Sequence, residues 1–124
     1  MTGKPAFSVA EFSDHVLVSV TGEIGVAAED RFREVLVSAL KTEPLCLVVD
    51  LAGVPFMASA GVGVLLGIRS VLSARGGSLV LSSPCPAVAR VLEVTGAAEL
   101  IPVATETEAA AECVPGQGQL SAGR

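Results

Sequence analysis

Within "VPFMASAGVGVLLG", Val54 to Gly67, a single hydroxyl, Ser59, stands among uncharged residues. A serine in that setting can be a nucleophile, a helix cap or the acceptor of a modifying group. The nucleophile reading asks for Gly-x-Ser-x-Gly at a strand-to-helix turn. Here "MASAG" puts Met57 at the first glycine position. The sole histidine, His15, lies far upstream beside an expected hairpin. A triad needs a base within hydrogen-bond reach and a group that orients it. "GVGVLLG" is glycine-rich, but no Lys-Ser/Thr follows, so it is no phosphate-binding loop. The cysteines, Cys46, Cys85 and Cys113, are odd in number and widely spaced, with no Cys-x-x-Cys. With one histidine they make no zinc set. They read as reduced thiols, two of them small core residues. The expectation is therefore no enzyme, no metal and no cofactor.

Composition narrows the partners. The 124-residue chain carries a formal charge of −5 and has neither Trp nor Tyr. Phosphate backbones and anionic membranes want basic patches, and base-stacking platforms want aromatics. Neither a nucleic acid nor a membrane is expected. "MTGKPAFSVAEF" has no apolar core of a signal peptide. Leu51 to Ile68 is uncharged, but Pro55 and the Gly-Ser-Ala cluster break it, and a strand pattern runs straight into it. The reading is a cytoplasmic domain.

The elements that must hold Ser59 follow from periodicity. Phe7–Phe12 reads as an edge strand, and "HVLVSVTG" alternates Val16, Val18 and Val20 against His15, Leu17 and Ser19. The polar "FSDH" between them predicts a hairpin. In "GVAAEDRFREVLVSALK", Phe32, Val35, Leu36, Ala39 and Leu40 form one helical stripe. Its acids lie early and Lys41 late, as the helix dipole prefers. "CLVVDL" is apolar on both faces, as a central strand should be. A helix follows Ser59 with Val62, Leu65, Leu66 and Leu72 on one side, and "ARGG" ends it. "SLVLSS" is a strand, "PAVARVLEVTG" a helix opened by Pro86, and "ELIPV" a short strand. "TETEAAAEC" is a short acidic helix, and residues 114–124 read as a disordered tail. The order β-β-α-β-α-β-α-β-α predicts an α/β fold with a mixed, mostly parallel sheet. Residues 1–6 are taken as a flexible N-terminus and 7–113 as the domain.

These residues resemble a known family. "VVDLAGVPFMASAGVGVLLGI" is similar to the signature of STAS domains of the anti-sigma factor antagonist type. Asp50, Leu51, Phe56, Met57, Ser59, Gly61 and Gly63 match it, as does "TGEI" at Thr21–Ile24. "RGGSLVL" and "PAVARVLEVTG" match the later strand and helix. The resemblance implies a partner-switching protein. It would bind an anti-sigma factor that is also a GHKL-type serine kinase, thereby freeing a sigma factor. Phosphorylation at the Ser59 position would release it, and a serine phosphatase would reset it. Kinase and ATP belong to the partner, so this chain is substrate and ligand. The implied contact surface is Gly22, Glu23, Ile24 and Gly25 together with Met57, Ala58, Ser59, Ala60, Gly61, Val62 and Gly63. The sequence departs from the family twice. Ala58 stands where an aspartate usually precedes the serine, and Gly25 where an aspartate often follows Gly-Glu-Leu. Those losses favour the alternative, a STAS scaffold or subunit without a phosphoswitch.

Ser59 suits the switch physically. At a helix start the first N–H groups lack intrahelical acceptors and the dipole is positive, so the domain tolerates a phosphate there. A partner packed on the same spot would have to bury roughly −1.5 to −2 charges. Serine is also a good N-cap, and the two roles are compatible. Gly61 and Gly63 are expected to keep the surface low around the hydroxyl. Phe56 and Met57 are expected to pack beneath the loop, and Gly67 to allow close helix packing.

Overall fold

Strand and helix periods alternate along this chain, and each turns where the sequence supplies a turn residue. The computed structural model describes residues 4–104. β1 (Ala6–Glu11) and β2 (Val16–Thr21) form the antiparallel hairpin, closed by the Phe12 N–H donating to the His15 carbonyl at 2.8 Å. A 3-10 turn, Val26–Ala28, leads into α1 (Glu29–Ala39), which buries Phe32, Leu36 and Ala39. β3 (Cys46–Gly53) follows, then α2 (Ser59–Ala74), β4 (Ser78–Ser82), α3 (Pro86–Val94), α4 (Ala97–Leu100) and β5 (Val103–Ala104). The sheet order is β1-β2-β3-β4-β5, with β2 to β5 mutually parallel.

That order decides where the helices go. Each crossover steps one strand in the same direction. Right-handed crossovers then place every helix on the same face. The main core lies there. Val18, Val20, Leu47, Val49, Leu51, Leu79 and Leu81 of the sheet meet Phe32 and Leu36 of α1, Leu65 and Leu72 of α2, and Val88 and Leu92 of α3. The opposite side of β3 and β4 holds a second buried cluster of Cys46, Val48 and Val80, with Asp50, Ser78 and Ser82 on the same face.

The structure corrects the sequence reading in places. Glu99 and Leu100 of "ELIPV" belong to α4, and the strand there is only Val103–Ala104. Gly96, in the left-handed region at φ 82°, ends one helix and starts the next. Ala, Glu and Leu then favour a further turn until Pro102 intervenes. Cys46 is fully buried as expected but is disulfide-bonded, not a reduced thiol, whereas Cys85 is free and half-buried. Leu51–Ile68 splits into the end of β3, a loop and the first turns of α2. Among the described residues no helix is long and apolar enough to cross a membrane. The expected "TETEAAAEC" helix and the tail lie outside the described residues.

Candidate functional site

The site is a knot of three segments at the carboxyl ends of β2 and β3. Parallel pairing of these strands brings "TGEIG" beside the loop that precedes Ser59. Gly22 makes the first turn at φ 93°, and its N–H donates to the Gly53 carbonyl at 2.9 Å. A side chain at Gly22 would put its Cβ 2.9 Å from the Pro5 Cα, so glycine is required there twice over. Asp50 shapes the exit from β3, its Oδ1 accepting from the Ala52 N–H at 2.9 Å.

The two segments are then stitched together. Ile24 and Met57 form an isolated parallel bridge. The Ile24 N–H donates to the Phe56 carbonyl at 2.9 Å, and the Ala58 N–H to the Ile24 carbonyl at 2.8 Å. Both side chains point inward, and Ile24 and Met57 are each 0% exposed. Gly61, in the first turn of α2, closes over them. A Cβ there would lie 2.9 Å from both Ile24 Cγ2 and Met57 Cγ. The expected surface therefore divides. Ile24, Met57, Gly61 and Val62 are buried and set the shape of the site. Gly22, Glu23, Gly25, Ala58 and Ala60 are half-buried, and Ser59 and Gly63 are exposed. A Cβ at Gly63 would meet nothing within 4 Å, so of the two helix glycines only this one keeps the surface low.

Ser59 is not the cap of its helix. Ala58 holds the N-cap position with extended backbone (φ −79°, ψ 163°), and Ser59 is the first residue inside. No side chain caps the helix. The Gly61 N–H turns back to the Ala58 carbonyl at 2.9 Å. The donors left at the start of α2 are therefore those of Ser59 and Ala60, fewer than the sequence suggests. Gly25 mirrors this arrangement. It is the N-cap of the Val26–Ala28 turn, extended at φ −89° and ψ −171°, and again no side chain caps. A Cβ on Gly25 would meet nothing within 4 Å. The two positions at which the resemblance leads one to expect aspartate are thus the uncapped starts of two helical turns, and at Gly25 neither space nor backbone conformation excludes a side chain.

Two apolar side chains in the segments joined by the bridge are exposed, although sequence reasoning did not assign them to the surface. Phe56, expected beneath the loop, is 47% exposed, and Val26 is 74% exposed. Phe56 lies outside the regular elements and Val26 opens a 3-10 turn, so periodicity does not mark either; Phe56 adjoins Met57, which the bridge to Ile24 takes inward. Gly67 does not serve helix packing: it is exposed and a Cβ there would meet nothing within 4 Å.

Among the described residues no histidine lies near Ser59. His15 precedes β2, at the opposite end of the parallel strands from Ser59. It is held by Asp14, with Nδ1 2.7 Å from Oδ1, and stacks on Phe12. That hydrogen bond lowers the Asp14 carboxyl below its ordinary value. What the described residues present is a shaped surface around one exposed hydroxyl.

Fold and site together define a class, and comparison with known proteins agrees. Residues 6–110 match the STAS domain family model, and the chain belongs to that family. The chain is 32% identical to the anti-sigma-B factor antagonist of Listeria monocytogenes over 91 residues, which is 73% of this chain and 80% of that one. The anti-sigma factor antagonist SpoIIAA in its unphosphorylated form superposes with a TM-score of 0.72 at 28% identity, covering 84% of this chain and 92% of that chain. The Bacillus cell fate determinant SpoIIAA in its phosphorylated form gives a TM-score of 0.65 at 27% identity, covering 84% and 96%. Two of these relatives are named as anti-sigma factor antagonists.

Proposed function

We propose that this protein is an anti-sigma factor antagonist acting in the cytoplasm, and that phosphorylation of Ser59 controls it. Unphosphorylated, it binds an anti-sigma factor that is also a GHKL-type serine kinase. The kinase phosphorylates Ser59 and releases it, and a serine phosphatase restores it. The carrying observation is the exposed, uncapped Ser59 at the first position of α2, on a rim shared with Gly22–Gly25. That a relative of the same fold is described in both phosphorylated and unphosphorylated forms supports the reading.

The geometry accounts for both halves of the cycle. Val26 and Phe56 supply exposed apolar area in the segments that the bridge joins, and the low surface at Ala60 and Gly63 lets a partner approach closely. A phosphate on Ser59 would lie near the free N–H groups of Ser59 and Ala60, so the domain itself would hold it. The partner would have to desolvate that charge without a fixed counter-charge, and it lets go. Ser70, Ser73, Ser82 and Ser83 are poorer acceptors, Ser83 being half-buried directly after β4. Ser70 and Ser73 are exposed but lie towards the negative end of α2, and Ser82 is 1% exposed.

The test is incubation with the cognate kinase and ATP, followed by mass spectrometry. Ser59 is expected to be the modified residue. Ser59→Ala should bind the kinase and resist release. Ser59→Glu should bind at least about tenfold more weakly, a loss of about 1.4 kcal/mol. An unmodified Ser59 would leave the scaffold reading in place of the switch.

A further inference from the structure

β1 is an edge strand with an open side. It covers six residues, and its register with β2 runs unbroken from Ala6–Thr21 to Glu11–Val16. Such an edge is usually blunted by a proline or lysine in the strand, by a bulge, or by keeping the strand very short. Ala6–Glu11 has none of these devices, whereas β5 at the other edge is only Val103–Ala104. The hairpin fixes which backbone groups are spare. The Phe12 N–H donates to the carbonyl of His15 directly opposite, so these two form a hydrogen-bonded pair. Antiparallel pairing alternates, so Ala10, Ser8 and Ala6 bond to β2, while Phe7, Val9 and Glu11 turn N–H and C=O away from it. Among the described residues nothing pairs with those outward groups. The side chains of the same residues stand on the helix face of the sheet. Phe7 stacks on Phe32 at 6.1 Å, and Val9, opposite the buried Val18, is 50% exposed. Beside them a groove of about 410 Å³ runs between β1 and α1, with Arg31 and Val35 on its α1 wall.

We propose that β1 is a dimer edge, and that its occupant is β1 of a second copy of this chain, antiparallel about a two-fold axis at Val9. The strand is complementary to itself in that register. Val9 meets the partner's Val9 and Phe7 meets the partner's Glu11, so every backbone group turned outward finds its match. Opposed residues share a face, so the two exposed valines come together beside the groove and the helices of both copies lie on one side. The charges agree as well. Glu11 is the one charge of the strand and stands at its end. Arg31 lies over the Phe7 ring, 5.8 Å from its centroid, which is where the partner's Glu11 arrives. The neighbouring Glu34 is 3.7 Å from Arg31, both side chains are mostly exposed, and a guanidinium has donors for a second carboxylate. Other registers fit less well. An axis at Ser8 sets Glu11 against Pro5, which has no N–H to give, and an axis at Ala10 sets Phe7 against Ser13, beyond the strand. The proposal does not rest on the Ser59 reading, because Ser59 follows β3, two strands from this edge.

Sedimentation equilibrium of the full-length protein, from micromolar to millimolar concentration, tests it. The mass is expected to rise to that of two chains and no further. The mass of one chain throughout, or growth beyond two, would overturn the proposal. Val9→Pro removes an N–H that the single copy does not use, so this variant should fold and stay monomeric. Val9→Lys keeps the N–H but sets two like charges face to face at the axis, and should weaken dimerisation at least about tenfold. It decides the matter if Val9→Pro fails to fold, and a dimer as tight as the parent's would place the interface elsewhere. Charge exchange tests the register. Arg31→Glu and Glu11→Arg should each weaken the dimer about threefold, and the double variant should recover the parent's affinity. Failure to recover would remove the axis from Val9. Amide exchange gives a further reading. Exchange at Phe7, Val9 and Glu11 should slow at least about tenfold from dilute to concentrated protein, while Ser8 and Ala10 are protected in both. Slowing confined to other residues would refute the pairing.

Discussion

α2 and α3 begin in the same place architecturally and in opposite ways chemically. Each starts at the carboxyl end of a parallel strand, each has an extended N-cap residue, and neither receives a side-chain cap. At α3 the first position is Pro86, which has no N–H to leave unsatisfied, and the Cys85 thiol is turned back onto the Val54 carbonyl. That entrance is closed. At α2 the first position is Ser59, an exposed residue that keeps its N–H, and the capping position is given to Ala58. The contrast teaches that Ser59 is not needed to build its helix. A proline or a capped residue would serve the fold as well, so the open entrance is best understood through what comes to it.

The comparison can be broken most severely from beneath. Gly61→Leu would drive its Cβ into Ile24 and Met57, so a loss of about 1–3 kcal/mol in denaturant unfolding is expected, together with loss of partner binding. The charge reversal Glu23→Lys and the exposed change Gly63→Leu should instead weaken binding while leaving stability within about 1 kcal/mol, because neither site is in the core. A Gly61→Leu protein as stable as the parent would show that the Ile24–Met57 bridge does not set the loop.

Giving α2 the cap it lacks should have an effect of the other sign. Ala58→Asp is expected to stabilise by about 1 kcal/mol, measured by chemical denaturation, since the backbone already has N-cap geometry. It should also make phosphate on Ser59 harder to hold, by competition for the same donors and by like charge. Further along the helix, Gly67→Ala should raise stability by about 0.5–1 kcal/mol, because the position is open and interior to the helix. The smallest expected effect is the most pointed. Ser59→Pro would copy the entrance of α3, and Ala58 is already extended as a residue before proline must be. Stability should stay within about 0.5 kcal/mol of the parent, measured by thermal and denaturant unfolding, while phosphorylation is abolished. A large destabilisation would mean that the Ser59 N–H is structurally employed.

Much of this was legible in the residues. Alternation in Val16–Val20 and the helical stripe of Phe32, Leu36 and Ala39 are local periodicities, and local periods report local structure directly. The sheet with its antiparallel hairpin, the helices and the exposed serine at a strand-to-helix turn follow from the sequence. So does the meeting of "TGEIG" with the Ser59 loop, because parallel strands put their carboxyl ends together.

What tertiary structure alone decided is which residues of that meeting face water. Met57 is buried and Phe56 exposed because Ile24, far away in the chain, bridges to Met57 and not to its neighbour. Gly61 is buried and Gly63 exposed because that bridge lies under one side of α2. The cap fell to Ala58, whose N–H donates to the Ile24 carbonyl, and the helix starts one residue earlier than serine's capping preference suggests. Cys46 is disulfide-bonded, and spacing alone gave no sign of it. A sequence carries the period of each element on its own residues, but burial and pairing belong to contacts between segments, and those exist only once the chain has folded.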